Sequence, residues 1–125
     1  MLNKTVLMGR LTKDPELRHT QNNTPVAGFS IAVERSYSKD KDKVTDFFDI
    51  VCWQGRAEFV ARNFRKGQLI CVEGRLQRRE WTDKDGITRY AYEVIADSVH
   101  FAGFNKNNGQ SNNPADFDPF ADAAA

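Results

Sequence analysis

Aromatic rings and cations recur together along this chain. Phe47 and Trp53 share a parity with Asp49 and Val51 in one apolar stretch, opposite Phe48, Ile50 and Cys52. In a later stretch Arg75, Arg79 and Trp81 fall on the parity opposite Ile70, Val72 and Leu76, which read as core. Tyr37 stands just after Arg35 and just before Lys39, Lys41 and Lys43. A soluble chain places Trp on a polar face only for a reason. Rings interleaved with cations suit single-stranded nucleic acid. Every base has a π-face, and stacking on a ring contributes about 1–3 kcal/mol per base. Lys and Arg follow the phosphates and release counterions, which makes such binding salt-dependent. A duplex hides its base faces, so an aromatic platform selects single strands. The same rings also fit a barrel packed against a second subunit. Asp40 and Asp42 interrupt the lysine run, which fits a merely solvated loop equally well.

Catalytic and metal chemistry finds little support. His19 and His100 are isolated, with no HxH or HExxH spacing, no phosphate loop and no GxSxG. Asp40, Asp42 and Asp46 lack the turn glycine of a calcium loop. Glu80, Asp83 and Asp85 could hold a metal, as a nuclease would require, yet they flank a hairpin turn where acids are common. Cys52 and Cys71 lie inside apolar runs without a CxxC partner and read as two small core residues. The first residues form no secretory signal pattern, so a reducing, cytoplasmic setting is expected and a disulfide is not.

The elements that must position these residues are mostly strands. Leu2–Leu11 is apolar and β-rich and ends at Thr12-Lys13-Asp14-Pro15. After a turn at Asn22–Pro25, Val26–Arg35 alternates, with Phe29, Ile31 and Val33 on one face. Thr45–Trp53 is a third strand. Ala57, Val60, Ala61 and Phe64 form one apolar helical stripe, with Arg62, Arg65 and Lys66 at its C-terminal end and Gly67 as a C′ residue. Strands at about 68–81 and 87–101 flank the Asp83-Lys84-Asp85-Gly86 turn. The order β, β, β, α, β, β predicts a mainly β fold, the five-stranded OB barrel with one helix between its third and fourth strands. A small β-sandwich with one helix has a similar pattern.

Of the 125 residues, 1–104 make the barrel domain, and 105–125 make an Asn-rich, then acidic tail expected to be disordered. The net charge of +1 hides this division. Residues 1–104 carry 17 basic and 14 acidic groups, or +3; residues 105–125 carry one lysine and three aspartates, or −2. A histone-like polycation is excluded, but an uneven charge distribution leaves nucleic-acid binding open. No apolar run reaches the 18 residues of a membrane helix.

The motifs Met1-Leu2-Asn3-Lys4, Gly9-Arg10-Leu11-Thr12-Lys13-Asp14-Pro15-Glu16, Arg65-Lys66-Gly67, Val72-Glu73-Gly74-Arg75-Leu76, Trp81-Thr82-Asp83 and Tyr92-Glu93-Val94 resemble those of bacterial single-stranded DNA-binding proteins. The resemblance covers residues 1 to about 103. It implies a homotetramer of OB barrels wrapped by single-stranded DNA, in the cytoplasm at the nucleoid, with no cofactor and no catalysis. It implies base stacking at Tyr37, Phe47, Trp53 and Trp81. Members often carry Trp where Tyr37 and Phe47 stand, so stacking is expected to be weaker here. Lys66, Arg75 and Arg79 fall at or near basic positions and are candidates for phosphate contact.

Members typically end in an acidic tip closed by Pro-Phe, which docks replication, recombination and repair enzymes. Here Asp116-Phe117-Asp118-Pro119-Phe120 is followed by Ala121-Asp122-Ala123-Ala124-Ala125. A docking site that grips a terminal carboxylate would miss this Phe, and a solubilising end accounts for the same residues. Three other readings stay open: a small OB-fold RNA-binding or primosome accessory protein, a metal-dependent nuclease, and an interaction protein acting through its tail.

Overall fold

The computed structural model describes residues 1–35 and 44–103. Tyr37, the lysines at 39, 41 and 43, and the tail with Asp116, Phe117, Asp118, Pro119 and Phe120 lie outside them. The elements are β1 (Thr5–Leu11), β2 (Glu16–His19), β3 (Pro25–Glu34), β4 (Thr45–Trp53), α1 (Gly55–Asn63), β5 (Leu69–Thr82) and β6 (Thr88–Phe101). The ladder runs β1-β5-β6-β4-β3-β2, and β1 also pairs with β3 through Arg10↔Ala32 and Leu11↔Ile31. Five strands therefore close into a ring, β1-β5-β6-β4-β3-β1. The β4–β6 pair is parallel and the other pairs in the ring are antiparallel. This is the OB barrel, with its helix between the third and fourth barrel strands. Among the described residues no helix is long and apolar enough to cross a membrane.

Alternation makes the core. Ala27, Phe29 and Ile31 point inward from β3, Ile50 and Cys52 from β4, and Ile70 and Val72 from β5. Ala57 and Val60 of α1 close one end of the barrel, with Phe64 just beyond the helix. Phe64 stacks on Phe101 at 4.8 Å between ring centroids, tying the helix end to β6. Burial drives the Cys52 thiol up to about 12, so it behaves as an inert apolar group.

Four details depart from the sequence reading. Residues 16–19 form a strand, β2, hydrogen-bonded to β3 outside the ring through a hairpin at Thr20–Thr24. All four of its residues are exposed, so no apolar alternation marks it. Leu76 is 44% exposed rather than core. β1 stops pairing with β5 at Thr5↔Gly74, so from Arg75 onward β5 keeps only β6 as a partner, and beyond Leu76↔Val94, where β6 last pairs with β4, the two run on as a ribbon outside the core. Cys71 is only half-buried, on the outer parity of β5. Gly67 is not the C′ residue: Phe64 is the C-cap, and Gly67, at φ +86°, makes the turn into β5, where its N–H donates to the Leu11 carbonyl at 2.7 Å.

A β-bulge marks the base of the ribbon. Glu73 pairs with Ser98 and Gly74 with Ala96, which leaves Asp97 as the extra residue. Arg56 donates to the Asp97 carbonyl, and Arg75 meets its carboxylate at 3.6 Å. The bulge moves the inward parity of β6 from Val94 and Ala96 to Val99. Gly74 is required there, because a Cβ would lie 2.0 Å from the Ile95 carbonyl oxygen.

Candidate nucleic-acid interface

Parity and register place most of the expected residues on one face. In β4, Phe47, Asp49, Val51 and Trp53 point outward, with Phe47 66% and Trp53 41% exposed. Their partners on β3 are Ala32, Ser30, Gly28 and Val26. Three of these four are small, so the outer surface beside the rings stays low and open. Trp53 lies six residue steps beyond Phe47, about 20 Å along the strand.

β6 extends this face through Glu93, and β5 through Arg75, Gln77, Arg79 and Trp81. The parallel register Ile50↔Val94 and Val51↔Ile95 sets their heights. Arg75 pairs with Ile95 and so lies toward the Trp53 end. Trp81 pairs with Arg89 and lies toward the Phe47 end. Trp81 is 39% exposed, and the Arg79 guanidinium carbon sits 4.6 Å from its ring centroid. Glu93 meets Arg79 Nε at 3.4 Å.

A groove of about 410 Å³ crosses this face. Its floor includes Gly28, Ser30, Asp49 and Val51; Arg79 and Glu93 line it from the ribbon, and Lys13, Glu16 and Arg18 from the loop after β1 and from β2. Lys13 and Arg18 escaped the sequence reading because β2 did. The available signal was Glu16 beside Arg18, whose Nε donates to the Glu16 carboxylate at 2.8 Å. Three cations and three carboxylates line the groove, so its chain-borne charges balance.

Lys66 is placed less directly. Its side chain is exposed, and its backbone N–H donates to Asp14 Oδ1 at 2.8 Å. That bond ties the segment after α1 to the loop carrying Lys13, but Lys66 itself is not among the groove's lining residues. The acids of the 83–86 turn serve the turn. Asp83 Oδ1 accepts from the Asp85 and Ile87 amides, and Oδ2 from Arg89 at 2.8 Å. These donors hold the Asp83 carboxyl below its usual range, the Arg89 bond contributing most. Among the described residues no group of three His, Cys, Asp or Glu is arranged to hold a metal ion.

With the face defined, comparison with known proteins is decisive. The model of the single-strand binding protein family matches residues 2–102. This chain belongs to the single-strand binding protein family. Its relatives in the family include the single-stranded DNA-binding protein of Caldanaerobacter subterraneus, 47% identical over 102 residues, or 81% of this chain and 68% of that protein. The Clostridium tetani protein of the same name is 44% identical over 120 residues, covering 95% of this chain and 81% of its own. Single-stranded DNA-binding protein 2 of Clostridium acetobutylicum is 43% identical over 112 residues, covering 89% and 84%. Family membership thus agrees with the barrel and with the open aromatic face.

Proposed function

We propose that this protein binds single-stranded DNA without regard to sequence and covers strands exposed in replication, recombination and repair. The observation that carries the proposal is the outward face on which Phe47, Trp53 and Trp81 stand exposed beside a groove lined by Lys13, Arg18 and Arg79 together with three carboxylates. Phe47, Trp53 and Trp81 stack on bases, and Tyr37 adds a fourth ring. Arg75 and Arg79 contact phosphates from the ribbon, and Lys66 from beside the loop that carries Lys13. Rings carry the affinity for any base, and cations carry the strand's direction across the face. Nothing in this function requires a bond to be made or broken.

The working form in this proposal is a homotetramer acting in the cytoplasm at the nucleoid. Two features support assembly. β1 pairs with β3 only at Arg10 and Leu11 among the described residues, and Gly9 is buried against Ala32, so the edge from Thr5 to Met8 is open on that side. Val6 and Met8 are exposed on the same strand. An open apolar edge invites a second chain. Recruitment of repair and replication enzymes through 116–120 is a separate part of the proposal. Deleting 105–125 should leave DNA affinity intact while recruitment is lost.

The substrate class is tested by competition. A fluorescent dT oligomer bound to the protein is challenged with unlabelled DNA, RNA and duplex of equal length. Single-stranded DNA should displace it best. Preferential displacement by RNA would favour the RNA-binding reading instead.

A further inference from the structure

We infer that Glu93 is a positioning residue for DNA binding: it holds Arg79 so that the end of the guanidinium fork faces the phosphate path. The inference rests on the proposed DNA-binding role of this face. Glu93 is a carboxylate in a groove meant for a polyanion, where charge alone would count against it. It is also the least exposed acid among the ion pairs of the described residues, with its side chain 15% exposed. Such a group needs a compensating role, and its geometry supplies one.

Three contacts define the arrangement. The Glu93 carboxylate lies 3.4 Å from Arg79 Nε. The guanidinium carbon lies 4.6 Å from the Trp81 ring centroid. Both Arg79 and Glu93 line the groove. Glu93 therefore flanks the Nε side of the guanidinium, and the indole holds its central carbon over the ring. The terminal Nη pair is the end best suited to fork onto a phosphate. A free arginine would spend side-chain entropy to reach that pose; one restrained at two points has already lost it. Gln77, directly across the ribbon from Glu93, brings no competing charge.

This account makes a prediction opposite in sign to simple electrostatics. Removing a carboxylate from the groove should help an anion bind. If Glu93 positions Arg79, its removal weakens binding instead. The test measures affinity for a dT oligomer across a salt series for the full chain and its variants. Glu93→Ala should weaken binding about threefold to tenfold, a part of one charge-assisted hydrogen bond, and flatten the salt dependence. Glu93→Gln keeps a side-chain oxygen of the same reach beside Nε while removing the carboxylate charge, and should bind at least as tightly as the native chain. In an Arg79→Ala background, Glu93→Ala should cost nothing further. If the alanine variant fails to fold, Glu93→Met keeps the bulk without the acceptor and should show the same loss. Unchanged or tighter binding by the variants without an acceptor, or an equal loss in the Arg79→Ala background, overturns the inference. Absence of binding by the native chain would instead overturn the functional proposal on which it rests.

Discussion

Large rings left uncovered set this face apart. Phe47 and Trp53 stay open because β3 opposes them largely with Ala32, Ser30 and Gly28. Trp81 carries Arg79 near its ring, and in the proposed function the indole stacks on a base while the guanidinium meets a phosphate. Replacing Trp81 by Ala should weaken single-stranded DNA binding by about 1–3 kcal/mol, the range for base–aromatic stacking in single-strand binders, of which this family is itself an example. Equilibrium titration of the variant checks this, and an unchanged affinity would remove Trp81 from the site. These side chains were legible in the sequence because each breaks a strand's polar parity. Lys13 and Arg18 were not, since neither lies in a segment with an apolar rhythm. Glu93 was visible only as part of a motif; its link to Arg79 depends on the cross-strand register.

At the scale of elements, the ribbon of β5 and β6 decides the shape of the face. Its length was evident from the Asp83–Gly86 turn and the long strands on either side. Its departure from the barrel was not, because strict alternation carried Leu76 inward. The departure follows from the end of β1 pairing at Gly74 and from the bulge at Asp97. Asn3 finishes β1 by bonding both the N–H and the carbonyl of Leu76 through its side chain, at 2.9 and 2.8 Å. Gly74→Ala should lower stability by about 2–4 kcal/mol, as overpacking against backbone does, because its Cβ would meet the Ile95 carbonyl oxygen. Thermal unfolding reads this directly, and a native-like Tm would contradict it. At the ribbon's tip, the Asp83 carboxyl is depressed by Arg89 and by the turn amides. Its contribution is therefore present above the ordinary value of 3.8 and is lost as pH falls through the lower, folded value. The stability difference between the native chain and Asp83→Asn should be largest near neutrality and vanish in strong acid. Paired unfolding curves across pH would show it, and a pH-independent difference would argue against the turn bonds.

For the whole molecule, a closed OB ring and an aromatic outer face make separate demands on one sequence. Core parity gives Ile31, Ile50, Ile70 and Val72 to the interior, while the opposite parity is free to carry rings and charge. The barrel was legible because that division repeats strand after strand. The short edge strand and the ribbon were not, because they lie outside the ring where no core imposes a period. Near-neutral overall charge is compatible with DNA binding for the same reason: affinity depends on which face the charges occupy. The central claim is that this face stacks on unpaired bases, and both tryptophans, Trp53 and Trp81, stand on it. The most direct measurement is a tryptophan fluorescence titration with poly-dT at low and high salt. The account predicts strong quenching that saturates at a fixed ratio of nucleotides to protein and requires more DNA as salt rises. Fluorescence unchanged by poly-dT at low salt would contradict it.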